Sequence, residues 1–161
     1  MEISSLREEL QKRQQFDSVQ QEATLSILRT SDLLENRIAR LLRTHSLTPS
    51  QYNVLRILRG EGKPMPCLEV ADRMIQVAPA ITRVVDQLTT RDLIGKSQAQ
   101  YDRRVFLIEI TPSGQELLLK IDQPMLQLHA ALLGGVSASD LRILNETLGR
   151  IRGQIRKLDN S

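Results

Sequence analysis

Aromatic residues are nearly absent from this 161-residue chain: it has no tryptophan, phenylalanine only at 16 and 106, and tyrosine only at 52 and 101. So few rings cannot build the stacking platform that holds single-stranded nucleic acid, which removes RNA-recognition and oligonucleotide-barrel modules. Cysteine occurs once, as Cys67. One thiol closes no internal disulfide and builds no cysteine-based zinc cluster within one chain, and it agrees with a reducing compartment. The two histidines, His45 and His129, lie far apart in sequence, so a zinc-sensing centre is not expected either. No apolar run approaches the ~20 residues of a membrane span, and Met1 to Leu10 is too acidic and too broken for a signal peptide. The expectation is a cytoplasmic protein without membrane contact. A glycine-rich phosphate loop, a nucleophile–base spacing and a paired metal motif are all missing, so neither an enzyme nor a cofactor is expected.

What is present is a chain with 40% apolar and 25% charged residues, long enough to bury a modest core as one domain. Its net charge is only +3, but the isoelectric point near 9.3 leans toward an anionic partner. With single strands set aside, duplex DNA is the nucleic acid to consider.

Before Pro49 there is neither glycine nor proline, and Phe16, Val19, Ala23, Ile27, Leu34, Ile38 and Leu41 fall at three- and four-residue steps. This predicts a long helix, broken near Arg29-Thr30-Ser31-Asp32 and stopped by Arg43-Thr44-His45-Ser46. Thr48 as N-cap, Pro49 at the first helical position and Gln51 three residues after the cap form a capping box, opening a helix to about Arg59. Gly60-Glu61-Gly62 ends it, and Lys63-Pro64-Met65-Pro66 fits only a short edge strand or a connector. Leu68, Ala71 and Ile75 give a short amphipathic helix. A turn at Gln76-Val77-Ala78 leads to Pro79 and a second helix reaching Arg91. On it, Ile81, Val84, Val85 and Leu88 share one face, with Pro79, Thr82, Arg83 and Asp86 opposite. Asp92 follows as a left-handed stop, a role glycine fills more cheaply.

From Leu93 to Ile110 the period shifts toward two, with an apolar strand Val105 to Ile110 facing a polar partner Ile94 to Gln100. The tip between them, Tyr101-Asp102-Arg103-Arg104, sets two guanidiniums beside one carboxylate. That suits a hairpin reaching for a phosphate backbone or a narrow minor groove, the Asp orienting one Arg while the other stays free; the plain alternative is a solvated turn. Helix, short strand, helix, turn, helix, hairpin is the order of a winged helix-turn-helix. The fold class expected is therefore mostly α with a small β-hairpin wing (α+β).

After Thr111-Pro112, Leu117, Leu118, Ile121 and Leu128 mark a helix toward Gly134-Gly135. Ser137 and Asp140 suggest a second capping box. The last helix carries Leu141, Leu144, Leu148, Ile151, Ile155 and Leu158 in alternating steps of three and four, the seam of a coiled coil. The long first helix and this last one hold more apolar surface than a small winged helix needs, which predicts a dimer interface; the plain alternative is a helix packed on its own domain. Three segments result: 1–47 and 112–161 as helical dimerisation arms, and 48–111 as the DNA-binding lobe.

The stretches Leu47-Thr48-Pro49-Ser50-Gln51-Tyr52-Asn53-Val54-Leu55, Leu68-Glu69-Val70-Ala71 and Ile81-Thr82-Arg83-Val84-Val85-Asp86-Gln87-Leu88 precede Asp102-Arg103-Arg104 and Thr111-Pro112-Ser113-Gly114. Together they resemble the MarR family of bacterial transcriptional regulators, from about Ile27 to Leu158. The resemblance implies a homodimer whose terminal helices interlock, holding two winged lobes over a palindromic site in duplex DNA, most often as a repressor. It makes Ala78 to Arg91 the recognition helix, with Thr82 and Arg83 meeting base edges or phosphates and Gln76 just ahead of them. Arg83 has an alternative as a surface pair with Asp86 one turn on. Arg104 matches the wing arginine of the minor groove, Asp102 the acidic residue that steadies the wing, and Arg103 a phosphate contact. Arg73 is either another phosphate contact or a solvated side chain.

Departures from the pattern are specific. Ala78-Pro79-Ala80 replaces the usual hydroxyl residues at the start of the recognition helix, shifting sequence reading to Arg83 and Gln76. Asp92 stands where glycine is usual, and Met1 to Gln15 extends beyond the common start. Many members of the family release DNA when an anionic aromatic compound enters a crevice beside the dimerisation helices. Here Arg37, Arg40, His45 and Tyr52 are the candidate ligand-binding residues. A redox-responsive regulator acting through Cys67, at the front of a short helix, is an alternative, and a winged helix used only for protein contacts is another.

Overall fold

The computed structural model describes residues 5–76, 81–100, 102 and 104–159. Chain order is α1 (Leu6–Glu9), α2 (Val19–Arg43), α3 (Pro49–Glu61), β1 (Met65–Pro66), α4 (Cys67–Asp72), α5 (Ile81–Thr90), β2 (Ile94–Gln98), β3 (Phe106–Ile110), α6 (Pro112–Leu133) and α7 (Ala138–Asp159). Among these residues no helix is long and apolar enough to cross a membrane.

The long helix α2 differs from its sequence expectation at its start and in its middle. Phe16 lies outside α2, because Ser18 is the N-cap and accepts from Gln21 N at 3.1 Å, while the Gln21 side chain accepts from Asp17 N at 2.9 Å. The break expected at Arg29 to Asp32 is absent and α2 runs through it. Its polar groups find partners one turn away: Ser31 Oγ donates to Glu35 at 3.0 Å and Asn36 Nδ2 to the Asp32 carbonyl at 2.9 Å. Capping residues break a helix only when they compete with its backbone, and here they bond along its surface. The stop is as expected, with Ser46 left-handed at φ 55° and Leu47 N closing on the Leu42 carbonyl at 3.0 Å.

The capping box of α3 is complete: Gln51 N donates to Thr48 Oγ1 at 3.2 Å and Thr48 N to Gln51 Oε1 at 3.0 Å. The helix runs two residues past Arg59 to Glu61, with Gly62 left-handed at φ 70°. The proline-bounded segment is the edge strand β1. It and β2 flank β3 in an antiparallel sheet of order β1-β3-β2, with Met65 opposite Ile108 and Ile94 opposite Ile110. Val54, Leu55 and Leu58 of α3, Val70 of α4, Val85 and Leu88 of α5 and Ile108 of β3 close one core with almost no exposure. Asp92 takes the left-handed stop at φ 55°, and Leu93 N returns to the Leu88 carbonyl at 3.0 Å. The expected turn at Gln76-Val77-Ala78 and the Pro79 start fall at 77–80, outside the described residues.

Thr111-Pro112-Ser113-Gly114 joins the hairpin to α6. Thr111 N donates to the Leu93 carbonyl at 3.2 Å, Thr111 Oγ1 to the Asp92 carbonyl at 2.7 Å, and Gly114 N to Thr111 Oγ1 at 3.1 Å. Glycine is required there, because a Cβ on residue 114 would run into the Leu93 carbonyl oxygen and stand 2.9 Å from Ile110 Cγ1.

The chain divides into two compact units within α6, residues 1–125 and 126–161. In the first, Leu118 and Ile121 of α6 are fully buried, and Asp122 accepts from Arg59 Nη1 and Nη2 of α3 at 2.7 Å each. In the second, α7 holds no buried residue, and Leu144, Ile155 and Leu158 of its seam are exposed. The second capping box is only half formed. Asp140 N donates to Ser137 Oγ at 3.1 Å, but Ser137 Oγ in turn donates to the Asp140 carboxylate at 2.6 Å. The two side chains thus close on each other.

Candidate nucleic-acid interface

Helix α5 buries Val85 and Leu88 and exposes Thr82, Arg83, Asp86 and Gln87, as its apolar spacing dictates. An open groove runs beside it, walled on the other side by Ser46, Thr48 and Gln51 at the start of α3, and closed by Thr90 and Arg91. Arg91 Nη1 donates to the Ser46 carbonyl at 2.6 Å, tying the end of α5 across the groove. Thr82 and Arg83 both line it. The alternative of an Arg83–Asp86 surface pair is not realised, because Asp86 pairs instead with Lys96 of β2 at 3.3 Å. Among the described residues Arg83 has no ion pair. The Lys96 ammonium also sits 4.7 Å from the centroid of the Phe106 ring on β3, so α5 and both wing strands meet at one side chain.

At the wing, Ala99 N donates to the Val105 carbonyl at 3.0 Å and Val105 N to the Asp102 carbonyl at 2.9 Å, which closes the hairpin. Asp102 Oδ1 accepts from Arg104 N at 2.9 Å and Arg104 Nε at 3.2 Å, and Oδ2 accepts from Arg104 Nη2 at 3.2 Å. The Arg104 hydrogen bonds hold the Asp102 carboxyl below its ordinary range. Arg104 itself remains 91% exposed, so the carboxylate aims the guanidinium while its other N–H donors stay open. Arg103 and Tyr101 lie outside the described residues.

The remaining expected residues divide. Gln76 is exposed just beyond α4. Arg73 is neither an unpaired phosphate ligand nor merely solvated, since its guanidinium is held by Glu61 at 2.7 Å and lies 3.8 Å from Glu69. Arg37 and Arg40 are exposed on α2, and His45 and Tyr52 are half-buried. None of these four lines the groove beside α5. Cys67 is half-buried, and burial pushes its thiol up, against thiolate formation. Among the described residues no group of three His, Cys, Asp or Glu side chains is arranged to hold a metal ion.

Sequence reasoning overlooked the row Arg83, Gln87, Arg91, which repeats every four residues along the groove side of α5 and just past its end and could have been found by that spacing. It also overlooked the Gln51–Gln87 bond, Gln51 Nε2 to Gln87 Oε1 at 3.0 Å, for which no local signal exists.

Residues 47–106, from just before α3 to the first residue of β3, match the model of the MarR family. The HTH-type transcriptional regulator MhqR of Bacillus subtilis is 28% identical over 120 residues, covering 72% of this chain and 79% of that protein. A crystal structure of a MarR transcription factor from Planctomyces limnophilus is 34% identical with a TM-score of 0.66, covering 84% of this chain and 98% of its own. The fold is shared at a TM-score of 0.73 by Bordetella bronchiseptica BpsR, a protein whose DNA binding is regulated by 6-hydroxynicotinic acid; it is 21% identical, over 81% of this chain and 98% of that one. With its winged helix-turn-helix and a relative of this identity spanned almost end to end, the chain belongs to the MarR family of transcriptional regulators.

Proposed function

We propose that the chain binds duplex DNA as a homodimer on a palindromic operator, represses transcription there, and leaves the DNA when a small anionic aromatic ligand binds. The observation that carries the DNA reading is the aimed but open guanidinium of Arg104, beside an α5 whose Thr82 and Arg83 are exposed and whose Asp86 is already neutralised by Lys96. In this reading Thr82 and Arg83, with Gln76 ahead of them, meet the major groove, Arg104 the minor groove, and Arg103 a phosphate. Arg73 adds to the phosphate contacts by exchanging Glu61 for DNA.

Dimerisation is supported by α7, whose apolar seam has no buried member within one chain. The arms are 1–47 and 112–161 and the reading lobe 48–111. Two-fold symmetry then sets the recognition helices one turn of DNA apart, ~34–36 Å. Release needs a ligand that binds the non-binding arrangement better. Arg37, Arg40 and His45 offer cationic or hydrogen-bonding groups to a carboxylate, and Tyr52 an aromatic wall. BpsR, with the same fold, is regulated by an aromatic acid of this class.

The test is fluorescence anisotropy of the purified protein on the intergenic duplex upstream of its own gene and on a scrambled duplex, through a salt series, with 6-hydroxynicotinic acid as a first ligand. Specific binding that weakens steeply with salt, by a species sedimenting as a dimer, is the expected result. Equal weak binding to both duplexes overturns the operator reading and favours a winged helix that contacts protein.

A further inference from the structure

Hydrogen-bond polarity across the groove between α3 and α5 is fixed by chemistry. A backbone N–H can only donate, so the Gln51 atom that meets Thr48 N at 3.0 Å is its carbonyl oxygen. The other end of that amide is therefore NH2, and it meets the Gln87 side chain at 3.0 Å. An NH2 cannot accept, so Gln87 answers with its own carbonyl. Its NH2 is left without a hydrogen-bond partner among the described residues, on an exposed side chain that lines the groove. Gln51 is only 7% exposed, so the anchor of this relay is a buried polar group whose bonds are made within the fold.

A free glutamine offers one donor and one acceptor together, which is how it pairs with both N6 and N7 of adenine. With its carbonyl turned to Gln51, which takes one of that oxygen's two lone pairs, the group Gln87 has free for the groove is its NH2. Gln87 stands midway in the row Arg83, Gln87, Arg91, and both neighbours are guanidiniums without acceptors. The row Arg83, Gln87, Arg91 thus presents chiefly donors.

We infer that Gln51, the capping residue of α3, is a positioning residue for DNA reading: it holds the Gln87 carbonyl on its own side and leaves the Gln87 NH2 as the donor for an acceptor of duplex DNA, a guanine edge or a phosphate oxygen. This rests on the DNA-binding reading above and adds a specificity element to it. Gln51 touches no DNA; it acts by setting which end of the Gln87 amide is free.

The test measures full-length wild type, Arg83→Ala, Gln51→Glu, Gln87→Met and the double variant Gln51→Glu/Gln87→Met on the operator duplex by anisotropy. Glutamate at 51 keeps an acceptor for Thr48 N, so the capping box survives. It has no donor, so the Gln87 NH2 turns inward and its carbonyl faces the groove. Gln51→Glu and Gln87→Met are each expected to lower affinity about tenfold, ~1.4 kcal/mol, with the melting temperature of Gln51→Glu close to wild type. The double variant binds no more weakly than Gln87→Met. Additive losses mean that the charge at 51 acts on DNA directly and overturn the relay. Unchanged affinity in either single variant does the same.

A panel with each operator base pair replaced in turn locates the acceptor. Loss of discrimination at one symmetric guanine in Gln87→Met puts it on a base, and a uniform loss puts it on a phosphate. A wild-type preference for adenine over guanine that Gln87→Met abolishes means that the Gln87 carbonyl also reads the base, and overturns the assignment of its NH2 as the reading group. If wild type does not distinguish operator from scrambled duplex, the DNA-binding reading itself fails. If wild type is specific and Arg83→Ala is weakened while both glutamine variants match wild type, only the relay fails.

Discussion

Gly60 and Gly114 carry opposite predictions for one and the same substitution. At 114 an added Cβ meets the Leu93 carbonyl oxygen and Ile110 Cγ1 at 2.9 Å. The carbonyl is main chain and cannot rotate aside, and it is the acceptor for Thr111 N at 3.2 Å. Crowding of this kind costs about 1–3 kcal/mol, and the weakened hydrogen bond about 0.5–1.5 kcal/mol more. Against this, alanine gains up to about 1 kcal/mol over glycine inside a helix. The balance is a loss of about 2 kcal/mol, which in a chain of this size lowers Tm by about 4–8 °C. Gly60, in the last turn of α3, has nothing within 4 Å of such a Cβ. There the same change has only the conformational gain, about 0.5–1 kcal/mol, and Tm rises by about 1–4 °C. Thermal unfolding by circular dichroism at one fixed protein concentration reads both. A Gly114→Ala protein melting at or above wild type refutes the argument, because it means the Leu93 carbonyl yields freely.

Arg104→Ala is expected to weaken duplex binding by at least about tenfold, ~1.4 kcal/mol, and to flatten its salt dependence; unchanged affinity removes that residue from the interface. Asp122→Asn is expected to cost about 1 kcal/mol at neutral pH, the value for a partly exposed bidentate pair after solvent screening. Arg59 holds the Asp122 carboxyl below its ordinary range. Its stabilisation is therefore complete above the unfolded carboxyl's value near 3.9 and lost as pH falls through the lower folded value. Denaturant midpoints measured from pH 7 downward show the wild-type advantage persisting to about pH 4 and vanishing below it; a gap that closes nearer neutrality contradicts this. Cys67 is expected to alkylate with iodoacetamide more slowly at pH 7 than a free thiol, since burial raises its thiol; a faster reaction revives the redox reading.

What the sequence disclosed was mostly local. Thr48 and Gln51 are three residues apart, and one turn of helix is enough to bring their bonds together, so the capping box could be read directly. Asp92 betrayed its left-handed turn because the apolar period of α5 ended before it. Met65-Pro66 announced an edge strand because proline leaves a ladder position without a donor. Inference went astray where local chemistry had two outcomes: Ser31 is as able to bond along a helix as to end it, and its hydroxyl bonds to Glu35 one turn on. The Arg73–Glu61 pair was not read because Glu61 lies on the preceding helix, twelve residues back. Bonds spanning 36 residues, Gln51 to Gln87, or 63, Arg59 to Asp122, leave no periodic trace, since their partners meet only after the helices have packed.

Lys96 has a kinetic consequence. By joining the Asp86 carboxylate of α5, the proposed recognition helix, to the Phe106 ring of β3 from its own place on β2, it ties that helix to both wing strands. The entropy of aligning the two reading elements is then lost once, when the lobe folds, and not again at each encounter with DNA. A surface aligned in advance meets right and wrong sequences with the same ease. In such a protein, operators are told apart chiefly by how long the complex lasts, not by how quickly it forms.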